Sequence, residues 1–125
     1  MERIRIKKVV GLSPGFWLRM WILTCLGEGE LHGYEIINRI SEVFPGIISS
    51  GISGMGRGYK ILRELELEGL VVSKWDVEEK GPAKRVYRLT PKGLEAKEES
   101  IKYIMELKEY IEKFLEIAGG EDKDL

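Results

Sequence analysis

The spacing of apolar residues changes abruptly at Gly69, and this change limits the folds that the chain can adopt. Before Gly69, apolar residues recur at steps of three and four in three successive segments, which predicts three helices. After it, the runs LVVSKW (70–75) and RVYRLT (85–90) are rich in branched and aromatic residues, and a charged loop containing Gly-Pro separates them. Two such runs around a turn-rich loop predict a β-hairpin.

The three helices have clear start and stop signals. Ser13-Pro14-Gly15 starts the first, and its apolar run FWLRMWILTCL (16–26) covers nearly the whole circumference, so we expect burial on more than one side. This run is too short to span a bilayer and Arg19 interrupts it, which favours a core helix over a targeting segment. The second helix, ending at Pro45-Gly46, is expected to bury one face formed by Tyr34, Ile37, Ile40 and Phe44. The third, over 54–68, should bury Gly58, Ile61, Leu62 and Leu65.

A long helix is predicted to begin after Thr90, which is followed by Pro91 at the first helical position. Its broad apolar stripe needs a packing partner, which is either the core of the same chain or a second subunit in a symmetric dimer. The dimer interface would contain Ile104, Leu107, Ile111 and Phe114. We therefore expect an N-terminal basic arm (1–15), a globular domain (16–92), a C-terminal dimerisation helix (93–118) and a flexible acidic tail (119–125).

Composition argues against an enzyme and against a bound cofactor or metal. Cys25 and His32 are the only cysteine and histidine, so the chain has no disulfide framework, no usual zinc cluster and no set of catalytic residues. A lone cysteine fits a reducing, cytoplasmic compartment. Net charge is +1 over residues 1–50, +3 over 51–92 and −5 over 93–125, which favours a polyanion partner for the middle of the chain.

The order helix, helix, short turn, helix, hairpin, helix is that of a winged helix-turn-helix, a mostly α-helical fold. This motif places its recognition helix, which is the third predicted helix of this chain, in the major groove of double-stranded DNA. It uses the hairpin as a wing. The outward residues of the third helix and the cations of the wing are the candidate DNA contacts: Arg57, Tyr59, Lys60, Arg63, Lys80, Lys84, Arg85 and Arg88. From spacing alone, a solvated helix face and a solvated loop explain these charges equally well.

Several short motifs, in order and correctly spaced over about residues 18–93, resemble the PadR family of transcriptional regulators. The matching residues are HGYEI (32–36), Gly56, Tyr59, Leu62, Leu65-Glu66, Gly69-Leu70, Ser73, Trp75, Arg85, Tyr87, Leu89-Thr90 and Gly93. The resemblance implies a winged-helix homodimer, held by its N- and C-terminal helices, which represses transcription and often releases DNA when a small molecule binds. It also implies an aromatic DNA contact at Tyr59 and wing cations at Lys84 and Arg85.

The stretch GISGMGRGYK (51–60) departs from this family pattern, because Arg57-Gly58 replaces the family's Thr-Leu. It lacks the motifs of an enzyme's phosphate loop. Glycines at 54, 56 and 58 predict a frayed helix start that a DNA phosphate orders through backbone N–H groups and Arg57. Gly58 is also expected to leave a hole that Met55 could fill.

The aromatic residues of the first and last helices are the candidates for an effector pocket. Trp17, Trp21, Tyr103, Tyr110 and Phe114 could line a chamber for a planar apolar compound, although core packing is the commoner use of such residues. Redox sensing by Cys25 is less favoured than this effector pocket, because a lone cysteine on an apolar helix is usually inert. His32 is expected to cap or pack at the start of the second helix. A winged-helix protein-interaction module without DNA binding remains the alternative function.

Overall fold

The computed structural model describes residues 13–44, 52–77 and 84–119. Within these ranges, four helices and three strands follow one another in the order α1 (Pro14–Leu26), β1 (Leu31–His32), α2 (Gly33–Val43), α3 (Ile52–Leu67), β2 (Val71–Asp76), β3 (Lys84–Leu89) and α4 (Pro91–Ala118). This arrangement confirms the winged helix-turn-helix with a long C-terminal helix. Most of the expected N-terminal arm and of the acidic tail lies outside the described residues.

Helix α1 lies in the centre of the core, as its all-round apolar pattern predicts. Leu18 and Ile22 are fully buried and pack in one cluster with residues of α2, α3 and the sheet. The Ser13 hydroxyl caps the helix by accepting from the Phe16 backbone N–H at 3.1 Å. At the other side of α1, Arg19 makes two hydrogen bonds of 2.7 and 3.0 Å to the Glu68 carboxylate. Within the described residues, no helix is both long enough and apolar enough to cross a membrane.

Helix α2 buries the middle of the predicted face but not its two ends. Ile36, Ile37 and Ile40 are buried, whereas Tyr34 and Phe44 are 39% and 41% exposed. The prediction was wrong at both ends of the segment because each aromatic residue packs outside the core. Tyr34 lies in the first turn and stacks on the His32 ring, and Phe44 follows the helix and contacts tryptophan rings of α1.

The sheet has three antiparallel strands in the order β1-β3-β2, one strand more than the sequence predicted. β1 contains only Leu31 and His32, which pair with Tyr87 and Val86 of β3. Two residues carry no detectable alternation, so pairing with β3 alone reveals this strand. In the hairpin, Trp75 faces Arg85 and Ser73 faces Tyr87, and these four side chains therefore share the face of the sheet that covers the core.

The hole expected at Gly58 does not exist. A Cβ built on Gly58 would lie 2.8 Å from Cδ1 and 2.9 Å from Cγ1 of Ile37. The glycine therefore allows α2 and α3 to approach each other closely, and the Ile37 side chain occupies the space that a leucine would need.

Helix α4 is joined to the sheet through its first turn. The Thr90 hydroxyl accepts from the Gly93 N–H at 3.0 Å and donates to the Gly69 carbonyl oxygen at 2.7 Å, which confirms Thr90 as the N-cap. Gly69 itself ends α3 with φ = 80°, a conformation in which glycine is favoured. This junction fixes where the long helix leaves the domain.

Candidate nucleic-acid interface

The outward side of α3 carries a cluster of polar and cationic side chains. Its exposed members are Tyr59, Lys60 and Arg63, as the helical spacing predicts, and Arg57, which the sequence suggested as a phosphate contact. On the opposite side, Ile61, Leu62 and Leu65 are buried in the core, so the orientation of the helix about its axis is fixed by packing. A helix anchored in this way presents the same four side chains to any partner that approaches from solvent.

The Tyr59 ring lies over Gly33 at the start of α2. A Cβ on Gly33 would be 2.6 Å from Tyr59 Cε1, so the absence of a side chain at position 33 gives the ring its place. Burial, with a smaller contribution from the neighbouring Tyr34, raises the pKa of the Tyr59 phenol. The hydroxyl therefore remains protonated at neutral pH and can donate a hydrogen bond.

Arg85 of β3 turns toward α3 and has contacts on two sides. Its guanidinium lies 4.7 Å from the centroid of the Trp75 ring, and its Nη1 donates to the Ser73 hydroxyl. That hydroxyl donates in turn to the Glu66 carboxylate on α3 at 2.8 Å. The wing and the third helix are thus joined by side chains directly beside the exposed cluster.

The other wing cations do not share the contacts that Arg85 makes with Trp75 and Ser73. Lys84 places its ammonium 5.2 Å from the centroid of the Tyr34 ring, on the opposite face of β3 from Arg85. Arg88 lies 3.9 Å from the Glu30 carboxylate, away from α3. Lys80 lies outside the described residues. The structure therefore brings Arg85 and Lys84, but not Arg88, next to the residues of α3.

A cleft of about 560 Å³ separates α3 from the hairpin and the start of α2. Four tyrosine and tryptophan rings and three cationic side chains line it, together with His32, Gly33 and the Glu66 carboxylate. The aromatic and cationic residues are Tyr34, Tyr59, Trp75, Tyr87, Arg63, Lys84 and Arg85. Cations suit phosphate oxygens and aromatic edges suit sugars and bases, so the chemistry of the cleft fits a nucleic-acid backbone.

His32 connects the start of α2 to the end of β2. Its Nδ1 is 3.0 Å from Glu35 Oε1 and its Nε2 is 3.1 Å from Asp76 Oδ2. Both partners are carboxylates, so only the protonated ring donates to both. The pKa of His32 is raised, mainly by the hydrogen bond to Glu35, while burial opposes this and Asp76 adds to it. The Glu35 carboxylate also accepts from the His32 backbone N–H at 2.8 Å, so His32 does occupy the start of the helix as expected.

The five aromatic residues of the predicted effector chamber do not meet within one chain. Trp17 and Trp21 pack around Phe44, with ring centroids 6.1 and 6.0 Å away, and border an apolar cavity of about 230 Å³ between α1 and α4. Tyr103 instead contacts the Phe16 ring edge-on at 5.3 Å. Tyr110 and Phe114 are exposed further along α4, at 40% and 65%. A chamber that includes all five needs a second chain, so it stays a prediction.

Helix α4 leaves much of its apolar stripe uncovered. Leu107 is buried within the chain and Ile104 is half-buried, whereas Ile111 and Phe114 are 49% and 65% exposed.

Burial raises the pKa of the Cys25 thiol, which keeps it neutral and poorly nucleophilic. Among the described residues, no three acidic, histidine or cysteine side chains lie close enough together to hold a metal ion.

The sequence pattern placed Tyr34 only in a buried helix face and indicated no functional role for Trp75, Ser73 or Glu66. These four side chains contact the wing cations or join them to α3. All four belong to the motifs that carry the family resemblance, but a motif does not say which side chains meet. The strand register, in which Trp75 faces Arg85, is the signal that was available. It becomes usable only once the hairpin pairing is known.

A winged helix-turn-helix with a cationic, aromatic cleft beside its recognition helix, here α3, is typical of a nucleic-acid-binding regulator. Residues 22–99 match the model of the transcriptional regulator PadR-like family. A curated relative, the transcriptional regulator Rv3488 of Mycobacterium tuberculosis, is 32% identical over 108 residues, covering 83% of this chain and 85% of that protein. The chain therefore belongs to the PadR-like family of transcriptional regulators.

Solved structures share the fold. A conserved protein described as a potential transcriptional factor, TM0937, is 31% identical with a TM-score of 0.71, over 87% of this chain and 94% of that one. A PadR family regulator of Clostridium difficile R20291 is 23% identical with a TM-score of 0.66, over 79% and 98%. Bacillus subtilis PadR, solved in complex with operator DNA, is 26% identical with a TM-score of 0.57, over 67% of this chain but 46% of that one.

Proposed function

We propose that this protein is a sequence-specific DNA-binding regulator that acts in the cytoplasm as a homodimer and represses transcription. The observation that carries the proposal is the convergence of Tyr59, Arg63 and Arg85 on one cleft beside an exposed helix. Bacillus subtilis PadR, a structural neighbour, is solved with operator DNA, which supports DNA as the partner of this face. Residues of α3 enter the major groove, and the wing contacts the adjacent backbone.

In this arrangement Tyr59, Lys60 and Arg63 contact base edges and phosphates, and Lys84 and Arg85, with Lys80, contact the backbone from the wing. Arg57 lies in the first turns of α3, where backbone N–H groups of the glycine-rich stretch face a phosphate. We expect amide exchange at 54–58 to slow when DNA binds. Equal exchange rates with and without DNA would contradict this role for the glycines.

Fluorescence anisotropy on duplexes selected from a random library, titrated from low to near-physiological salt, tests DNA binding. We expect a palindromic sequence to be selected and a steep dependence of affinity on salt. Arg63→Ala should weaken binding and reduce the salt slope by about one, whereas Tyr59→Ala should weaken it with the slope retained. Lys113→Ala, which removes an exposed cation from α4, is the matched control and should change neither quantity.

The same titration separates this proposal from the protein-interaction alternative. Weak binding that is insensitive to salt, with no selected sequence, would favour a winged-helix module that has lost DNA binding. The disrupted family pattern at Arg57-Gly58 was one argument for that alternative. The argument is weakened because this segment lies within helix α3 and Gly58 is packed against Ile37.

The exposed apolar stripe of α4 supports dimerisation through residues 93–118. Ile111, Phe114 and Ile117 are 49%, 65% and 75% exposed, an unusual amount of contiguous apolar surface for a small monomer. A symmetric dimer would cover it and would join the two DNA-reading heads. Sedimentation equilibrium should give a dimer for the parent and a monomer for Phe114→Glu, while Lys113→Glu, its neighbour, should remain dimeric.

A small apolar effector is proposed to bind between α1 and α4 and to release the DNA. The cavity beside Trp17 and Trp21 supports this, because it is apolar and lies on the face of α1 that turns toward α4. Trp21→Ala should enlarge the cavity, and a shift in its ligand preference would be read from tryptophan fluorescence with a panel of planar aromatic compounds. No quenching by any of them in the parent would argue against an effector at this place.

A further inference from the structure

The wing arginine is held in a defined orientation before any partner is bound. Its guanidinium lies 4.7 Å from the centroid of the Trp75 ring, and Nη1 donates to Ser73 Oγ. The ring contact limits the tilt of the guanidinium plane, and the hydrogen bond limits its rotation within that plane. Trp75 and Ser73 can act together because both lie on the face of β2 toward which Arg85 points.

The Ser73 hydroxyl is oriented by the third helix. It donates its proton to Glu66 Oε2 at 2.8 Å, so its lone pairs are directed toward Arg85. Glu66 lies one helical turn after Arg63 on α3, and Arg63 lines the same cleft as Arg85. The path from Glu66 through Ser73 to Arg85 therefore fixes the position of a wing cation relative to the helix that carries the other DNA contacts.

We propose that Ser73 and Trp75 are positioning residues that hold Arg85 for a two-point contact with one DNA phosphate. The inference rests on the proposed DNA-binding function. Of the five N–H donors of Arg85, Ser73 accepts from Nη1, and a guanidinium edge matches two phosphate oxygens in a way that an ammonium group does not. Among the described residues, Lys84 contacts the Tyr34 ring, and its ammonium supplies a point charge.

Holding Arg85 in advance increases affinity because the side chain has less freedom to lose on binding. The loss that is avoided corresponds to about 2- to 10-fold in affinity for one long side chain. We therefore expect Ser73→Ala combined with Trp75→Leu to weaken DNA binding by such a factor. Charge is conserved in this double variant, so the salt slope should be unchanged.

The decisive measurement compares Arg85→Lys in three backgrounds by fluorescence anisotropy at one salt concentration. In the parent, Arg85→Lys should weaken binding about 5- to 10-fold because the two-point contact is lost although the charge remains. In the Ser73→Ala/Trp75→Leu background, the same change should cost less than about 2-fold, since the arginine is no longer prepositioned. In a Lys74→Ala background, a change on the opposite face of β2, it should cost as much as in the parent.

The outcomes separate this inference from the function on which it rests. Arg85→Lys costing the same factor in all three backgrounds, with DNA binding retained, would overturn the positioning role and leave the proposed function in place. No salt-dependent binding by the parent to any duplex would overturn both. Trp75 is 57% exposed, so its replacement should leave the fold intact, and urea unfolding of each variant checks this. Should the double variant unfold, Ser73→Ala alone gives the same comparison, and Arg85→Lys must again cost less than in the parent.

Discussion

Replacing Gly93 with alanine should destabilise this protein more than its small change in size implies. A Cβ on Gly93 would lie 2.0 Å from the Leu70 carbonyl oxygen and 3.1 Å from Leu89 Cδ2. The Leu70 oxygen is backbone and cannot rotate away, and it already accepts from the Thr90 N–H at 3.1 Å. To reach an ordinary contact of 3.4 Å, the first turn of α4 would have to move by about 1.4 Å.

Such a movement would break the junction between α4 and the end of α3. The hydrogen bond from the Thr90 hydroxyl to the Gly69 carbonyl oxygen, now 2.7 Å long, would be lost. The hydrogen bond from the Thr90 backbone N–H to the Leu70 carbonyl oxygen would be lost with it. Each is worth about 1 kcal/mol, and crowding a packed site costs about 1–3 kcal/mol. The higher helix propensity of alanine returns about 1 kcal/mol. We expect Gly93→Ala to lower the free energy of unfolding by about 2–4 kcal/mol.

Urea unfolding followed by circular dichroism, at fixed protein concentration, measures this change. With a denaturant slope of about 1–3 kcal/mol per molar, the midpoint should fall by about 0.7–4 M. Gly56→Ala is the matched control, because a Cβ there meets nothing within 4 Å and the same change in propensity should stabilise slightly. A Gly93→Ala midpoint equal to that of the parent or higher would refute the close approach of Leu70.

Three further substitutions test other contacts. Gly58→Leu, which restores the family residue, should lower the free energy of unfolding by about 1–3 kcal/mol, because the Ile37 side chain fills the site. In urea unfolding, the double variant Gly58→Leu/Ile37→Ala should lose less stability than the sum of the two single variants. Gly33→Ala should displace the Tyr59 ring and weaken DNA binding in anisotropy titrations, with no further loss in a Tyr59→Ala background. The pKa of His32 is raised in the folded protein, so its stabilising contribution is complete below the ordinary pKa of about 6.5 and is lost as pH rises through the raised pKa. Urea midpoints of the parent should therefore fall as pH increases above 6.5. In His32→Gln they should fall less steeply. A parent midpoint that is flat over this range would contradict the two carboxylate contacts of His32.

Much of the fold follows from local sequence signals. The bounds of the predicted helices and strands differ from the observed ones by a few residues at most, since the apolar period, the Thr90 cap and the stop at Gly69 act within each segment. The outward position of Tyr59, Lys60 and Arg63 followed from the 100° spacing of residues on a helix. The family resemblance then pointed to the class of regulator, which the family match confirmed.

Other features depend on contacts between segments that lie far apart in the chain. β1 exists as a strand because β3 pairs with it. The two ends of the α2 segment differ from the prediction because Tyr34 and Phe44 pack on aromatic rings outside the core. Likewise, no local pattern says that Ile37 lies against Gly58, or that Leu70 lies against Gly93.

The amino-acid sequence by itself thus determined the helices, the two strands of the hairpin, the winged-helix order and the chemical character of the exposed face of α3. The tertiary structure decided which wing cation joins that face: Arg85 turns toward α3 through Ser73 and Trp75, and Arg88 turns away toward Glu30. The physical reason is that periodicity is a property of one segment, whereas strand register and side-chain contacts arise only when segments pack together.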